Sequence, residues 1–266
     1  MNKVNYNYHM HTFRCGHASG MDEEYILKAI ENGYKIVGFT DHIMLPNHNQ
    51  PSIRGNIILQ NNYFESIKNL KKKYKGKIEI LLGYEAEYYE EYEQYYKELL
   101  DSKKIDYLIL GQHCYLKNDA FKWYFDNEFK INPEPSLNKY VDDLIKAMKT
   151  GLFKYVCHPD VYMNSRNIWD ELSINAARRI CKAAKENNIP LEINLGASRW
   201  TKPVITNGEL NHGYPFPLFW EIAKEEGCDV VIGIDAHSPL HYDVDPRLAY
   251  DIVERFGLNL LKDFKI

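Results

Sequence analysis

The sequence predicts an α/β fold, and three observations carry that prediction. Short apolar runs alternate with helical segments from one end of the chain to the other. The runs are rich in Val, Ile, Leu and Tyr, as strands buried on both faces of a parallel sheet require. No Ser/Gly-rich hinge or long linker interrupts them, so the 266 residues read as a single domain spanning 1–266 rather than two. Strict βα alternation at this length fits a closed parallel barrel or an open doubly wound sheet.

Seven strand-like runs follow in order: Val4–His9, Ile36–Thr40, Ile78–Gly83, Tyr107–Gly111, Tyr155–His158, Leu191–Leu195 and Val230–Ile234. Between them, Val141, Leu144, Ile145 and Met148 mark one buried helix face, and Ile174, Ala177, Ile180, Cys181 and Ala184 mark another. Gly33, Gly151 and Gly227 stand where helices should stop. The less regular stretches Met44–Asn56, Leu116–Pro135 and Ser198–Pro217 all follow the C-terminal end of a strand, the side on which barrels build their sites. No GxGxxG or GxxxxGK[ST] follows the first run, so a nucleotide-binding sheet has no phosphate loop to support it.

Composition narrows the function classes. With 33 basic residues against 37 acidic ones, the charge balance offers no basic excess for nucleic acid or an anionic membrane. No run approaches the ~18 apolar residues of a membrane span, and MNKVNYNYHMH lacks the apolar core of a signal peptide. A cytoplasmic protein is expected. Five cysteines without CxxC spacing read as free thiols, with Cys114 and Cys157 packed into the barrel wall because each adjoins a histidine facing the other way. The 21 tyrosines read as core bulk, whereas the 10 histidines are clustered and need a separate explanation.

The C-terminal ends of the strands supply it. They deliver His9-Met10-His11, Asp41-His42, Glu85 with Glu87, Gln112-His113, His158-Pro159-Asp160, Asn194 and Asp235-Ala236-His237. Residues two apart in an extended segment project to the same side, so His9 with His11, and Asp235 with His237, can grip one ion. Imidazole and carboxylate together suit Zn, Mn or Fe. One histidine at a strand end is commonly just a hydrogen-bonded residue. Six strand ends converging on one face need something to offset their mutual desolvation, and metal ions do that.

These segments resemble the polymerase and histidinol phosphatase (PHP) family. His9-Met10-His11-Thr12 with His17, Phe39-Thr40-Asp41-His42, Gly83-Tyr84-Glu85, Gly111-Gln112-His113, His158-Pro159 and Asp235-Ala236-His237-Ser238 are similar to its successive motifs. The likeness is in order from Tyr8 to about Asp245. Asp22–His42, Leu191–Asn194 and Gly233–Pro239 resemble the histidinol-phosphatase branch. The resemblance implies a distorted seven-stranded (β/α)7 TIM-like barrel and three divalent ions. His9, His11, Glu85 and Asp235 would hold the first, a bridging Glu85 with His113 and His158 the second, and His17, His42 and His237 the third. Glu87 and Asp41 are expected to orient ligands rather than bind metal. His48, His212 and His241 are left over in loops on the same side, either as substrate contacts or, the preferred reading, as solvated side chains.

Such a centre predicts phosphomonoester hydrolysis. A hydroxide bridging the first two ions attacks phosphorus, and Asp235 or His237 protonates the leaving alkoxide. Three divalent ions would bring six positive charges against two ligand carboxylates, enough to attract phosphate into an acidic protein. A clamp on the phosphate should include arginine. Arg14, Arg54, Arg166 and Arg199, with Lys202, lie in strand-end loops, and Arg199 is the first choice, then Arg166. The expected substrate is the small-molecule ester L-histidinol phosphate, whose cationic alcohol suits the aromatic Tyr115, Trp123, Tyr162, Trp200 and Tyr214. Gln112, in place of a small residue, could reshape specificity. Two other readings are a PHP phosphoesterase for another small phosphate ester or nucleotide, and a metal-binding barrel without turnover. The latter should lack a ligand, and none is missing.

Overall fold

The computed structural model describes residues 4–51, 53–166, 168–200, 203–206 and 208–266. Parallel strands β1 (Tyr6–Asn7), β2 (Ile36–His42), β3 (Glu79–Ala86) and β4 (Tyr107–Leu110) pair in chain order. Helices α1 (Asp22–Glu31), α2 (Gln60–Lys73) and α3 (Glu93–Asp101) connect them. A hairpin, β5 (Cys114–Lys117) with β6 (Ala120–Trp123), and helices α4 (Asn127–Ile131), α5 (Pro133–Met148) and α6 (Glu171–Glu186) come next. Strand β7 (Leu191–Asn194), the turn α7 (Ala197–Trp200) and a second hairpin, β8 (Val204–Thr206) with β9 (Glu209–Asn211), lead to α8 (Pro217–Glu225). The chain ends with β10 (Asp229–Gly233), α9 (Arg247–Phe256) and β11 (Asn259–Leu260).

A second parallel set, ordered β11-β10-β7, continues the first through single bridges, Leu110 to Val156 and Val156 to Leu191. On the other side Met10 bridges Ala236, so the parallel sheet is curled. The expected strand Tyr155–His158 is therefore reduced to one paired residue. Its ladder stops because His158 turns to φ 28° and the following Pro159 has no N–H to donate. The expected strand Val4–His9 is likewise cut to Tyr6–Asn7. Tyr8 packs inside the curl and so does its neighbour His9, which regular alternation forbids. The two hairpins fall largely in stretches expected to be irregular, and β11 is a further strand outside the seven expected.

Two apolar clusters sandwich the sheet. The larger joins its convex face to the helices, with Val37, Phe39, Leu82, Leu108, Leu110, Ile193 and Ile232 meeting Tyr25, Ile67, Leu144, Ile180, Phe219 and Ile252. The smaller fills the curl with Tyr6, Tyr8, Tyr107, Ile109, Tyr155, Cys157 and Val231. The tyrosines are core material, as their number suggested, and several give their hydroxyls to backbone carbonyls. Tyr6 donates to Leu261 O at 2.7 Å and Tyr8 to Phe264 O at 2.8 Å. Cys157 departs from its expected place: the left-handed turn at His158 puts two consecutive side chains inward, so the thiol lies inside the curl beneath His9. All five cysteines are free and buried.

Among the described residues no helix is long and apolar enough to cross a membrane. The overall charge balance hides a local basic run, Lys71, Lys72, Lys73, Lys75 and Lys77, ahead of β3 and so at the end of the sheet away from the histidines. Lys71 is paired with Asp106 and Lys73 with Glu23.

The tyrosine floor braces the first histidine motif. Tyr107 donates its hydroxyl to Tyr8 O at 2.9 Å, immediately before His9. Tyr107→Phe removes that donor from a buried carbonyl. It should lower stability by about 1 kcal/mol, read as a shifted midpoint with unchanged slope in urea denaturation.

Candidate metal centre

Eight of the nine expected ligands are delivered by strand ends, and His17 lies in the loop between β1 and α1. His42 and Glu85 are the last and penultimate residues of β2 and β3, aligned in register. His113 follows β4, His158 follows the Val156 bridge, Asp235 and His237 follow β10, and His9 and His11 flank the Met10 bridge. Two of the expected ligands stand on left-handed backbone, His158 at φ 28° and Asp235 at φ 55°. Non-glycine residues enter that region at a cost, and both do so where a side chain must be re-aimed into the curl.

Glu85 is the centre of the cluster. Its Oε2 lies 3.6 Å from His9 Nε2, 3.4 Å from His11 Nε2 and 3.0 Å from His42 Nδ1. Its Oε1 lies 2.9 Å from His158 Nε2 and 3.5 Å from His113 Nε2. One carboxylate thus faces two sets of rings with different oxygens. Asp235 Oδ1 completes the first set, 3.5 Å from His9 Nε2 and 3.2 Å from His11 Nε2. His17 and His237 meet through their Nε2 atoms at 3.0 Å, with the His42 ring centroid 5.3 Å from that of His17. All nine expected ligand residues converge. His42 departs in detail, because its Nδ1 is turned toward Glu85.

A second layer of carboxylates fixes the rings. Asp41 Oδ1 lies 3.7 Å from His11 Nδ1, and its other oxygen takes the Thr12 hydroxyl. Glu87 Oε1 lies 3.3 Å from His113 Nδ1, and both its oxygens take Arg54 Nη2 at 3.0 Å. Each of these carboxylates lies against the Nδ1 side of a ring whose Nε2 faces Glu85. Sequence reasoning missed Glu192. Its oxygens lie 2.9 and 3.1 Å from His9 Nδ1, and Oε2 takes Asn194 Nδ2 at 2.7 Å. The available signal was a glutamate inside an apolar strand, two residues before the strand-end Asn194. Two glycines make room for these acids. A Cβ on Gly111 would lie 2.0 Å from Glu85 Oε1, and one on Gly233 would lie 1.8 Å from Glu192 Oε1.

The electrostatics are those of a site built around cations. Burial opposes charge on Glu85, yet His113, His42 and His9 hold its carboxyl well below the usual range. Asp235 is depressed against its own burial by His9 and His237. Burial likewise opposes a proton on His9 and His11. Glu192 and Asp235 nevertheless keep His9 well above its ordinary value, and Asp235 and Asp41 push His11 up to about 9. Burial and the neighbouring His11 drive His42 well down and His237 to about 3. Meanwhile His9 Nε2, His11 Nε2, His42 Nδ1 and Asp235 Oδ1 are buried without a hydrogen-bond partner. Buried polar atoms are normally satisfied. Lone pairs orphaned together and backed by acids are what divalent cations require, and the residues present fit them.

The centre floors a cavity of about 680 Å³ lined also by Ser19, Ile53, Trp123, Val161, Tyr214, Ser238 and His241. The expected phosphate clamp is not part of this lining. Arg14 is buried with Asp22, which takes Nη1 and Nη2 at 2.9 Å each, and its Nε donates to Asn62. Arg166 donates to Ser173 and Asp170 at the start of α6. Arg199 donates to Leu195 O at 3.1 Å and to Asp235 O at 2.7 Å, so it braces the strained ligand from behind. Lys202 and the Trp200 side chain lie outside the described residues. Of the other aromatic candidates Trp123 and Tyr214 line the cavity, whereas Tyr115 packs on Tyr124 and Tyr162 is core. Gln112 binds Tyr88 N and Tyr124 rather than facing the cavity. His241 reaches the lining, against its expected solvated state, and His48 is bonded to Tyr92.

A curled α/β sheet with a carboxylate-centred histidine cluster at its strand C-termini defines a metal-dependent enzyme class. The PHP domain model matches residues 7–196, and the chain belongs to that family. The matched span holds every expected ligand except Asp235 and His237. A "Probable histidinol-phosphatase" of Deinococcus radiodurans is 28% identical over 237 residues, covering 87% of this chain and 85% of that protein. One of Schizosaccharomyces pombe is 25% identical over 276 residues, covering 93% and 85%. The histidinol phosphate phosphatase of Lactococcus lactis, solved with Zn, L-histidinol and phosphate, superposes with a TM-score of 0.73 at 18% identity, covering 98% of this chain and 96% of that one.

Glu192 gives the sharpest test of the orienting layer. Glu192→Ala frees the His9 ring and should weaken divalent-cation affinity roughly 10- to 100-fold, measured by competition with a chromogenic chelator. Glu192→Gln, which keeps the volume and one acceptor, should lose less.

Proposed function

We propose that this chain is a phosphoric monoester hydrolase acting on L-histidinol phosphate, releasing L-histidinol and phosphate in cytoplasmic histidine biosynthesis. The observation that carries the reading is Glu85 facing two histidine sets with its two oxygens, at the floor of a cavity large enough for a small ester. The similarity to proteins named histidinol-phosphatase over most of the chain supports the substrate. We read the curled sheet as a distorted seven-stranded (β/α)7 barrel, with the Val156 bridge in the fifth position and residues 1–266 acting as one catalytic domain.

His9, His11, Glu85 and Asp235 would hold one divalent ion, Glu85 with His113 and His158 a second, and His17, His42 and His237 a third. Zn, Mn and Fe all suit this donor set. Bound ions supply the Lewis-acid charge that activates water and neutralises phosphate oxygens. The chain's own residues do the rest. Glu192 holds the Nδ1 proton of His9, which leaves Nε2 as the lone pair facing inward. Glu87 does the same for His113. Arg199 fixes the Asp235 backbone, and the Asp235–His237 pair, with Oδ1 3.3 Å from His237 Nδ1, is placed to relay to the leaving alkoxide the proton that water gives up on activation. Glu85 and Asp235 are the only carboxylates among the described lining residues, so the cationic alcohol meets the faces of Trp123 and Tyr214.

A panel of phosphate monoesters tests the assignment by steady-state kinetics on protein of measured metal content. Histidinol phosphate should be turned over with the highest kcat/KM, and at least tenfold better than an unrelated alkyl phosphate. Equal rates would overturn the specific substrate in favour of another small ester, and no turnover of any ester would overturn the hydrolase reading.

A further inference from the structure

With Arg14 and Arg166 committed elsewhere, the described cavity lining contains no lysine or arginine. Outside the histidine cluster its small polar side chains and its large aromatic ones are not mixed. Ser19, Ser238 and His241 follow β1 and β10, whereas the aromatic Trp123 and Tyr214 and the apolar Val161 follow β4, β7 and Val156. A phosphate ester is polar at one end, so its phosphoryl group belongs on the first arc and its alcohol on the second.

His241 is the built donor of that arc. The His237 backbone N–H donates to His241 Nδ1 at 3.0 Å. A ring nitrogen that accepts a hydrogen bond carries no proton, so the neutral ring carries its proton on Nε2. Nε2 has no hydrogen-bond partner among the described residues, and the ring is part of the cavity lining. The segment is also held in place. Ser19 N donates to His237 O at 2.9 Å, and His241 N donates to Ser238 O at 3.0 Å within the short turn Pro239–Asp243.

We propose that His241 is a substrate-binding residue whose Nε2–H donates to a non-bridging phosphoryl oxygen of the bound ester, in the place where an arginine clamp was expected. The assignment rests on the phosphomonoesterase reading above. It makes the backbone of one ligand, His237, the device that sets the tautomer of the residue gripping the substrate.

Two variants separate binding from structure. His241→Asn keeps an acceptor for the His237 N–H and withdraws the outer donor, whereas His241→Ala removes both. A hydrogen bond to a charged oxygen is worth roughly 10- to 100-fold in affinity. Both variants should therefore raise KM for the ester, and the inhibition constant of inorganic phosphate, at least tenfold, with a smaller change in kcat. His241→Asn should keep the metal content and melting temperature of the wild type. In the unsubstituted protein, ¹⁵N NMR should show His241 protonated at Nε2 and bare at Nδ1. A His241→Asn enzyme within twofold of wild type in both constants, or a proton on Nδ1, would overturn the proposal while leaving the hydrolase reading intact. A wild-type enzyme that hydrolyses no phosphate ester would overturn the hydrolase reading, and the proposal with it.

Discussion

The structure depends on one buried charge. Glu85 is almost wholly removed from solvent, and five histidine rings approach its two oxygens within 3.6 Å. An isolated carboxylate buried in protein is costly enough that it would normally take up a proton. Here the surrounding rings hold its pKa down instead, so the acid stays ionised and acts as the fixed negative point on which everything else is aimed. Two of those rings, His9 and His11, hold protons more tightly than a free imidazole does. A divalent cation at these rings would take the place of such protons.

The surrounding architecture follows from that constraint. Glu85 fits only because Gly111 has no side chain, and Glu192 behind His9 fits only because of Gly233. Asp41, Glu87 and Glu192 each face the rear nitrogen of one inner ring, so the ring's front nitrogen is turned toward the cluster. The sheet gives way where regular strands would point a ligand outward. The Val156 segment pairs through a single residue, His158 and Asp235 take left-handed backbone, and Arg199 and the tyrosine floor brace the distortions. Such strain at a functional site is stabilised by packing elsewhere, here the two apolar clusters on either side of the sheet.

Much of this was legible in the sequence because ligands lie at strand ends, where an apolar run stops at His, Asp or Glu. That pattern picked out the histidines and acids that the fold brings together around Glu85, with Asp41 and Glu87 behind them. It failed where the fold departs from alternation. Cys157 and His158 both turn inward, which no period-two argument can foresee, and Glu192 was hidden because a buried acid inside a strand carries no end signal. The arginines misled for a different reason. Arg14 and Arg166 do occupy strand-end loops, but acids only a few residues away, Asp22 and Asp170, already engage them. Loop position alone cannot distinguish a clamp from an ion pair. His241 was discounted on the same basis, and only the His237 N–H bond reveals its orientation.

If Glu85 bridges cations held by the rings on either side of it, anomalous diffraction from crystals grown with a zinc salt will locate them. A peak is expected about 2.0–2.2 Å from His9 Nε2, His11 Nε2, Asp235 Oδ1 and a Glu85 oxygen, with a second peak between the other Glu85 oxygen, His113 and His158. Zinc bound only outside this cluster, or a Glu85 carboxylate that remains paired with the histidines and touches no metal, would contradict that bridging role.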